Sequence, residues 1–274
     1  MKDEMEPANE FFSKPPAKLE WTVRNLVEQG TFVVLGGEPK TSKTWAALEV
    51  CLSVASGTDC FNNFEFTTFR KQKPVFMFLL EDNASNVQAR LTALSAGKGI
   101  CEATLQGLPL WLRCRKPLCL TEQAEDIVKA VLHHHEETEL REGLVLIDPL
   151  RNAHREDEND STKMKAVLEA CLHIRDETGY TLLVNHHFKK MKKNEEESPG
   201  NAMRGTSSLY GAVDGIIGMR KIENDTRNEW SNNVACQVKA GPQSEPFGLR
   251  LRVKDGAETG RAIHADWEVS GIFG

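Results

Sequence analysis

Three features of the sequence predict an α/β fold with a mostly parallel central sheet, flanked by helices, and antiparallel strands toward its C-terminal side. Continuous apolar runs at 32–35, 74–80, 143–147 and 181–184 are too uniform for half-exposed strands and suit strands buried on both faces. Helix-forming segments lie between these runs, the alternation of a doubly wound sheet. From Val234 onward the apolar residues fall in short alternating runs (234–239, 247–253 and 263–269), as antiparallel strands do.

Residues 1–14 read as an acidic, polar, mobile tail unlike a signal peptide, and Pro15-Pro16 stiffens the entry to one domain expected over 15–274. The apolar-rich stretch from Leu19 to Val27, closed by Gly30, is expected to pack beside the site that the next element forms. That element is a strand, 31–36, running into Gly37-Glu38-Pro39-Lys40-Thr41-Ser42-Lys43-Thr44, with a helix from Trp45 to Val54 behind it. Residues 58–73 form a polar excursion with aromatics and read as a hairpin. The strand 74–80 stops at Glu81-Asp82-Asn83, and Asn83 or Ser85 caps a helix carrying Val87, Arg90, Leu91 and Leu94. A short strand at 108–112 precedes a helix capped by Thr121 and running through His134, whose neighbours His133 and His135 are expected to be solvated with it. The strand 143–148 ends in Asp148, a polar loop follows, and Ser161 opens a helix that Gly179 stops. The strand 181–186 ends in Asn185-His186, followed by a charged loop, a Gly/Ser-rich helix near 207–212 and a strand at 215–219.

Strand, tight loop and helix give the segment 37–44 its chemical meaning. Such a loop turns backbone N–H groups and a helix N-terminus toward an anion, here the phosphates of a nucleotide. Lys43 would reach the β- and γ-phosphates and Thr44 would hold Mg²⁺ through its hydroxyl. The pattern G-x-x-x-x-G-K-[ST] is met except at its second glycine, which is Ser42. A left-handed residue there carries a cost of roughly 1–2 kcal/mol unless it is glycine, so a reshaped loop or a small strain is expected.

In a parallel sheet, ligands sit at the carboxyl ends of the strands, which makes Lys43, Thr44, Glu81, Asp148 and His186 the candidate set. Asp148, after four apolar residues, suits the Mg²⁺ shell. Glu81, or its neighbour Asp82, suits orientation or deprotonation of an attacking water. His186 suits a sensor of the γ-phosphate, or else a half-buried histidine with a structural hydrogen bond. Lys189, Lys190, Lys192 and Lys193, with Arg204 beyond them, form a basic cluster that either contacts single-stranded DNA or is a solvated loop, since Glu195, Glu196 and Glu197 follow at once.

Composition narrows the class. Of the 274 residues, 40% are hydrophobic and 27% charged, as in ordinary globular chains, and no apolar run is long enough to cross a bilayer. Seven cysteines without a regular framework fit reduced thiols in a cytoplasmic chain. The net charge of −6 means that any nucleic-acid contact must be made by a local basic patch.

With these residues in order, the chain resembles RecA-like P-loop ATPases, and among them the plasmid RepA-type hexameric helicases. The carriers are Trp21 through Gly30, Gly37-Glu38-Pro39-Lys40 with Lys43-Thr44, Leu80-Glu81-Asp82, Arg90, Leu146-Ile147-Asp148-Pro149-Leu150, Asn185-His186-His187 with Lys189, and Arg204-Gly205-Thr206-Ser207-Ser208. The resemblance implies ATP and Mg²⁺ as cofactors, a homo-oligomeric ring with ATP at each interface, and single-stranded DNA in its channel. It implies Glu81 as catalytic carboxylate, His186 as γ-phosphate sensor, and channel-facing loops after Asp148 and His186. A Lys-x-Arg pair often enters the neighbour's site in this fold. Here Lys239-Ala240-Gly241 keeps the lysine and lacks the arginine, leaving Arg250 or Arg252 as substitutes. The helicase reading competes with an ATP-gated regulatory or recombination-mediator ATPase that does not unwind DNA.

Overall fold

The computed structural model describes residues 6–16, 18–138, 140–158, 160–188, 207–222, 226, 228–239 and 244–273. A short exposed helix, α1 (Ala8–Phe11), precedes an antiparallel pair, β1 (Trp21–Val23) and β2 (Val27–Glu28). Then come β3 (Phe32–Gly37), α2 (Lys43–Ser56), β4 (Val75–Leu79), α3 (Ala84–Gly97), α4 (Glu102–Gln106) and β5 (Leu110–Cys114). α5 (Leu120–Thr138), β6 (Leu144–Asp148), α6 (Ser161–Thr178) and β7 (Thr181–His187) follow. α7 (Ser207–Ala212), β8 (Gly215–Lys221), β9 (Glu229–Val238), β10 (Phe247–Asp255) and β11 (Ala262–Ser270) complete the described elements.

Nine of these strands form one sheet, ordered β11-β10-β9-β8-β3-β7-β6-β4-β5. Pairing is parallel from β8 to β5 and antiparallel from β8 to β11, as the change of sequence pattern predicts. The continuous apolar runs have a direct cause: helices cover both faces, so both alternating sets of side chains are buried. Val33, Leu35, Val75, Met77, Leu79, Leu144 and Leu146 face the core built with α2 and α3. Phe32, Val34, Phe76, Phe78, Val145 and Ile147 face the core built with α5 and α6.

Helix ends show how local chemistry sets boundaries. The Asn83 side chain, not that of Ser85, accepts from the Asn86 N–H at 2.9 Å and caps α3. Asp160, not Ser161, caps α6 by accepting from the N–H groups of Thr162 and Lys163, and a carboxylate there also meets the positive helix end. Gly179 ends α6 at φ 69°, a conformation cheap only for glycine. Thr121 lies inside α5, which begins at Leu120; instead Gln123 reaches back to the Cys119 N–H at 3.0 Å.

Three regions differ from expectation. Residues 58–73 hold two short 3₁₀ turns, Cys60–Asn62 and Phe64–Phe66, rather than a hairpin. The reason is a buried anchor: Glu49 of α2 accepts from the Phe61 N–H at 2.8 Å and pairs with Lys98 at 2.7 Å, both side chains almost fully covered. Removing one partner of such a pair typically costs about 3–5 kcal/mol. The β1–β2 pair does not flank the phosphate loop. Its Thr22 hydroxyl meets that of Thr181 at 2.9 Å, at the start of β7 and so at the opposite end of the sheet. His134 and His135 are buried, because Trp111 of edge strand β5 lies 4.2 Å from the first ring and Tyr180 lies 4.9 Å from the second.

Candidate functional site

The register of the parallel strands brings the predicted residues together. Gly36 and Gly37 lie opposite His186 and His187, and Leu79 lies opposite Asp148, so the ends of β3, β7, β6 and β4 converge. Close packing at this edge constrains β3: a Cβ on Gly36 would fall 1.7 Å from the Phe188 ring. The convergence forms a cleft of about 290 Å³ lined by Lys40 to Trp45, Glu81, Arg90, Asp148, Asn185, His186, His187 and Trp230. Of the other loop residues, Gly37, Glu38 and Pro39 are not part of that lining; Pro39 is exposed, and the carbonyls of Gly37 and Glu38 are turned toward Lys43.

Lys43 is buried at the start of α2, its ammonium donating to Gly37 O at 2.9 Å, Glu38 O at 2.6 Å and Thr41 Oγ1 at 3.2 Å. Burial lowers its pKa to about 8 against the opposing pull of Asp148, Glu38 and Glu81. Ser42 takes the place of glycine in the left-handed region, φ 55°, as the sequence departure implied. Its hydroxyl accepts from the amide of buried Asn232 on β9 at 3.2 Å, which ties the strained turn to the antiparallel half of the sheet.

Burial raises the Asp148 pKa to about 6, with Asn185 and Thr44 easing it back. Asn185 stands outside hydrogen-bond geometry, so both its amide atoms are buried and unpartnered. A hidden carboxylate, a helix-start hydroxyl and an orphaned amide make an oxygen-rich pocket that fits a hydrated divalent cation. Glu81 faces the cleft and accepts from Asn152 Nδ2 at 3.3 Å. Asp82 instead pairs with Arg90, whose guanidinium lies 5.5 Å from the Trp45 ring centre.

His186 is 5% exposed. Burial, with His187, His154 and Lys43 nearby, lowers its pKa to about 4, so the ring is neutral near pH 7. Its Nδ1 lies 3.8 Å from Glu158, a carboxyl group whose own pKa burial raises. The unfolded chain takes up this proton below its ordinary pKa of 6.5 and the folded chain only below about 4. This contribution to stability is therefore whole above pH 6.5 and is lost as pH falls toward 4. Chemical denaturation at pH 7.5 and 4.5 should show His186→Gln losing about 2–3 kcal/mol less on acidification than the unaltered chain. Equal losses would show that His186 takes no part.

The other predicted residues lie elsewhere. Lys239 is 3.8 Å from Asp214 at the end of the sheet opposite the cleft, where Asp214 also accepts from the first N–H of β3. Arg250 and Arg252 on β10 pair with Glu229 and Glu268, and Arg250 also lies 4.8 Å from the Phe273 ring centre. Lys189, Lys190, Lys192, Lys193 and Arg204 fall outside the described residues. Sequence reasoning did not name Trp45, Arg90, Asn185, His187, Trp230 and Asn232 as site residues. Arg90, Asn185 and His187 were visible among the carriers of the resemblance. Trp230 and Asn232 had no local signal, since Asn232 comes 190 residues after the serine it holds.

The fold agrees with that of a solved structure described as a DnaB-like replicative helicase and its interactions with primase, with a TM-score of 0.64 and 12% identity over 93% of this chain. The chain spans 66% of that protein's length. A family model described as an AAA domain matches residues 3–193, which include the phosphate loop, Glu81, Asp148 and His186. The fold is that of a RecA-like P-loop ATPase, and the chain belongs to the AAA domain family.

Proposed function

We propose that the chain hydrolyses ATP in this cleft and uses the cycle to act on single-stranded DNA as a ring-forming motor of the RepA-type helicase kind. One observation carries the reading: Lys43, Thr44, Glu81, Asp148 and His186, from four separate segments, line a single cleft at adjoining strand ends. Lys43 releases the loop carbonyls and binds the β- and γ-phosphates. Thr44 and Asp148 would hold Mg²⁺, with Asn185 beside them. The chemistry supplied by bound magnesium is neutralisation of charge on the phosphate oxygens. Glu81 orients a water and draws off its proton. Neutral His186 senses the γ-phosphate, and Phe188 beside it, 6.5 Å away between ring centres, carries the change along the chain.

Of the cations lining the cleft, Lys43 is the buried one, Lys40 is exposed to solvent, and Arg90 is held by Asp82. A second positive charge supplied by a neighbouring subunit is worth about 10³–10⁵-fold in phosphoryl transfer, which favours a homo-oligomeric ring, with Lys239, Arg250 and Arg252 as the candidates. Phosphate release with and without single-stranded DNA, together with native mass with ATP, tests the reading. Stimulation by DNA and ATP-promoted assembly are expected. A strictly monomeric chain with brisk turnover would contradict the ring. Stimulation without strand displacement on a forked duplex would favour a DNA-dependent regulatory ATPase.

A further inference from the structure

The turn after β6 is drawn inward by Leu150 and Ala153, both fully covered in the core shared with α5 and α6. The next residue, His154, is thereby buried, and Glu158 of the same segment meets the end of β7. Glu158 Oε1 lies 3.8 Å from His186 Nδ1 and 3.9 Å from His154 Nε2. All three atoms are sealed from solvent, and none has a hydrogen-bond partner among the described residues. The other carboxyl oxygen, Oε2, is 4.0 Å from Arg151 Nε.

Buried polar groups are almost always bonded, so three sealed atoms facing one another mark a network rather than chance packing. A movement of under about 1 Å closes either gap to a hydrogen bond. The chemistry of the groups sets the direction of those bonds. Both rings are neutral near pH 7: burial, with Arg151 adding to it, lowers the pKa of His154, and that of His186 falls to about 4. A neutral imidazole offers one N–H and one lone pair. A single carboxyl oxygen carries at most one hydrogen but accepts two. A carboxylate at Oε1 therefore serves both rings as acceptor, whereas a carboxylic acid can donate to only one. Burial raises the Glu158 pKa and Asp157 adds to the rise, while Arg151 at the other oxygen favours the ionised form.

We propose that Glu158 is a positioning residue for the cleft: its carboxylate accepts from Nδ1–H of His186 and so fixes that ring in the tautomer whose Nε2 is an acceptor. Which nitrogen of an imidazole carries the proton is set by the bond the other makes. His154, from the same segment as Glu158, shares the carboxylate and holds it in place. A γ-phosphate oxygen is itself an acceptor, so His186 meets it through a water that donates to both. The tautomer follows from the geometry alone, and its weight in turnover rests on the sensor reading of His186 given above.

Two-bond ¹H–¹⁵N correlation spectra of the ¹⁵N-histidine-labelled chain at pH 7.5, without nucleotide, read the tautomer directly. The His186 ring is identified by its loss in His186→Gln. A protonated Nδ1 and an unprotonated Nε2 are expected. Glu158→Gln, whose amide oxygen can still accept from Nδ1–H, should preserve that pattern. Glu158→Ala should move the ring toward the Nε2–H form that free imidazoles favour. Glu169→Ala, which removes the same charge from an exposed face of α6, should leave the pattern as it was. A protonated Nε2 in the unaltered chain overturns the proposal whatever the variants do, and so does an unmoved pattern in folded Glu158→Ala. In turnover, Glu158→Ala should lower kcat about tenfold, the worth of one hydrogen bond, and leave KM near that of the unaltered chain. Glu158→Gln should recover most of that rate. A displaced tautomer with unaltered kcat overturns the link to turnover and leaves the tautomer assignment standing. An unaltered chain that cleaves no ATP defeats the sensor reading, and the spectra still decide the tautomer.

Discussion

Lys43→Ala is expected to lower ATP turnover by about 10²–10³-fold, the range for deleting one preorganised donor at a charge-developing centre. Its ammonium is buried at the start of α2 and already aimed at the mouth of the loop, held by Gly37 O, Glu38 O and Thr41 Oγ1. Burial brings its pKa down to about 8, so it is charged at neutral pH and starts to lose that charge only in mildly alkaline solution. Nothing else among the described residues replaces a point charge at that depth. The fold should survive, because the side chain meets loop carbonyls rather than core. Titration with a fluorescent ATP analogue, phosphate release and a melting curve separate the outcomes. Unaltered affinity and rate in a folded variant would remove the phosphate-loop reading altogether.

Glu81→Gln is expected to bind ATP and Mg²⁺ as before and to hydrolyse on the order of 10²-fold more slowly or worse, the usual weight of positioned proton handling. Asp82→Asn provides the contrast, since the two acids differ in what they face. Glu81 lines the cleft and meets Asn152, whereas Asp82 holds Arg90 against Trp45. The second variant should therefore disturb KM, by releasing Arg90 beside the ligand, more than it lowers kcat. A full rate defect in Asp82→Asn with normal turnover in Glu81→Gln would exchange the two roles.

Much of this architecture was legible because one physical cause wrote it into the sequence repeatedly. A strand covered on both faces needs apolar residues at every position, and a strand end that reaches a ligand needs a polar residue immediately after. Runs such as Leu144–Ile147 before Asp148, and Thr181–Val184 before Asn185 and His186, carry both signals within six residues. The loop 37–44 adds a spacing that few other structures require. Illegible parts depend on partners distant in sequence. The excursion 58–73 follows no period because Glu49 and Lys98 hold it from two helices. The burial of His134 and His135 depends on Trp111 and Tyr180, contributed by other segments. The support of Ser42 by Asn232 is of the same kind, for a left-handed serine can be suspected from the motif but its partner cannot.

The central claim is that one cleft binds ATP with a divalent cation and cleaves it. The most direct measurement is release of inorganic phosphate from ATP by the unaltered chain, with Mg²⁺ and with the cation chelated, alongside calorimetric titration of the Glu81→Gln chain. Multiple turnovers that need Mg²⁺, and one ATP bound per chain in the variant, are the results predicted. No phosphate release and no ATP binding in the presence of Mg²⁺, by a chain that is folded, would contradict the account.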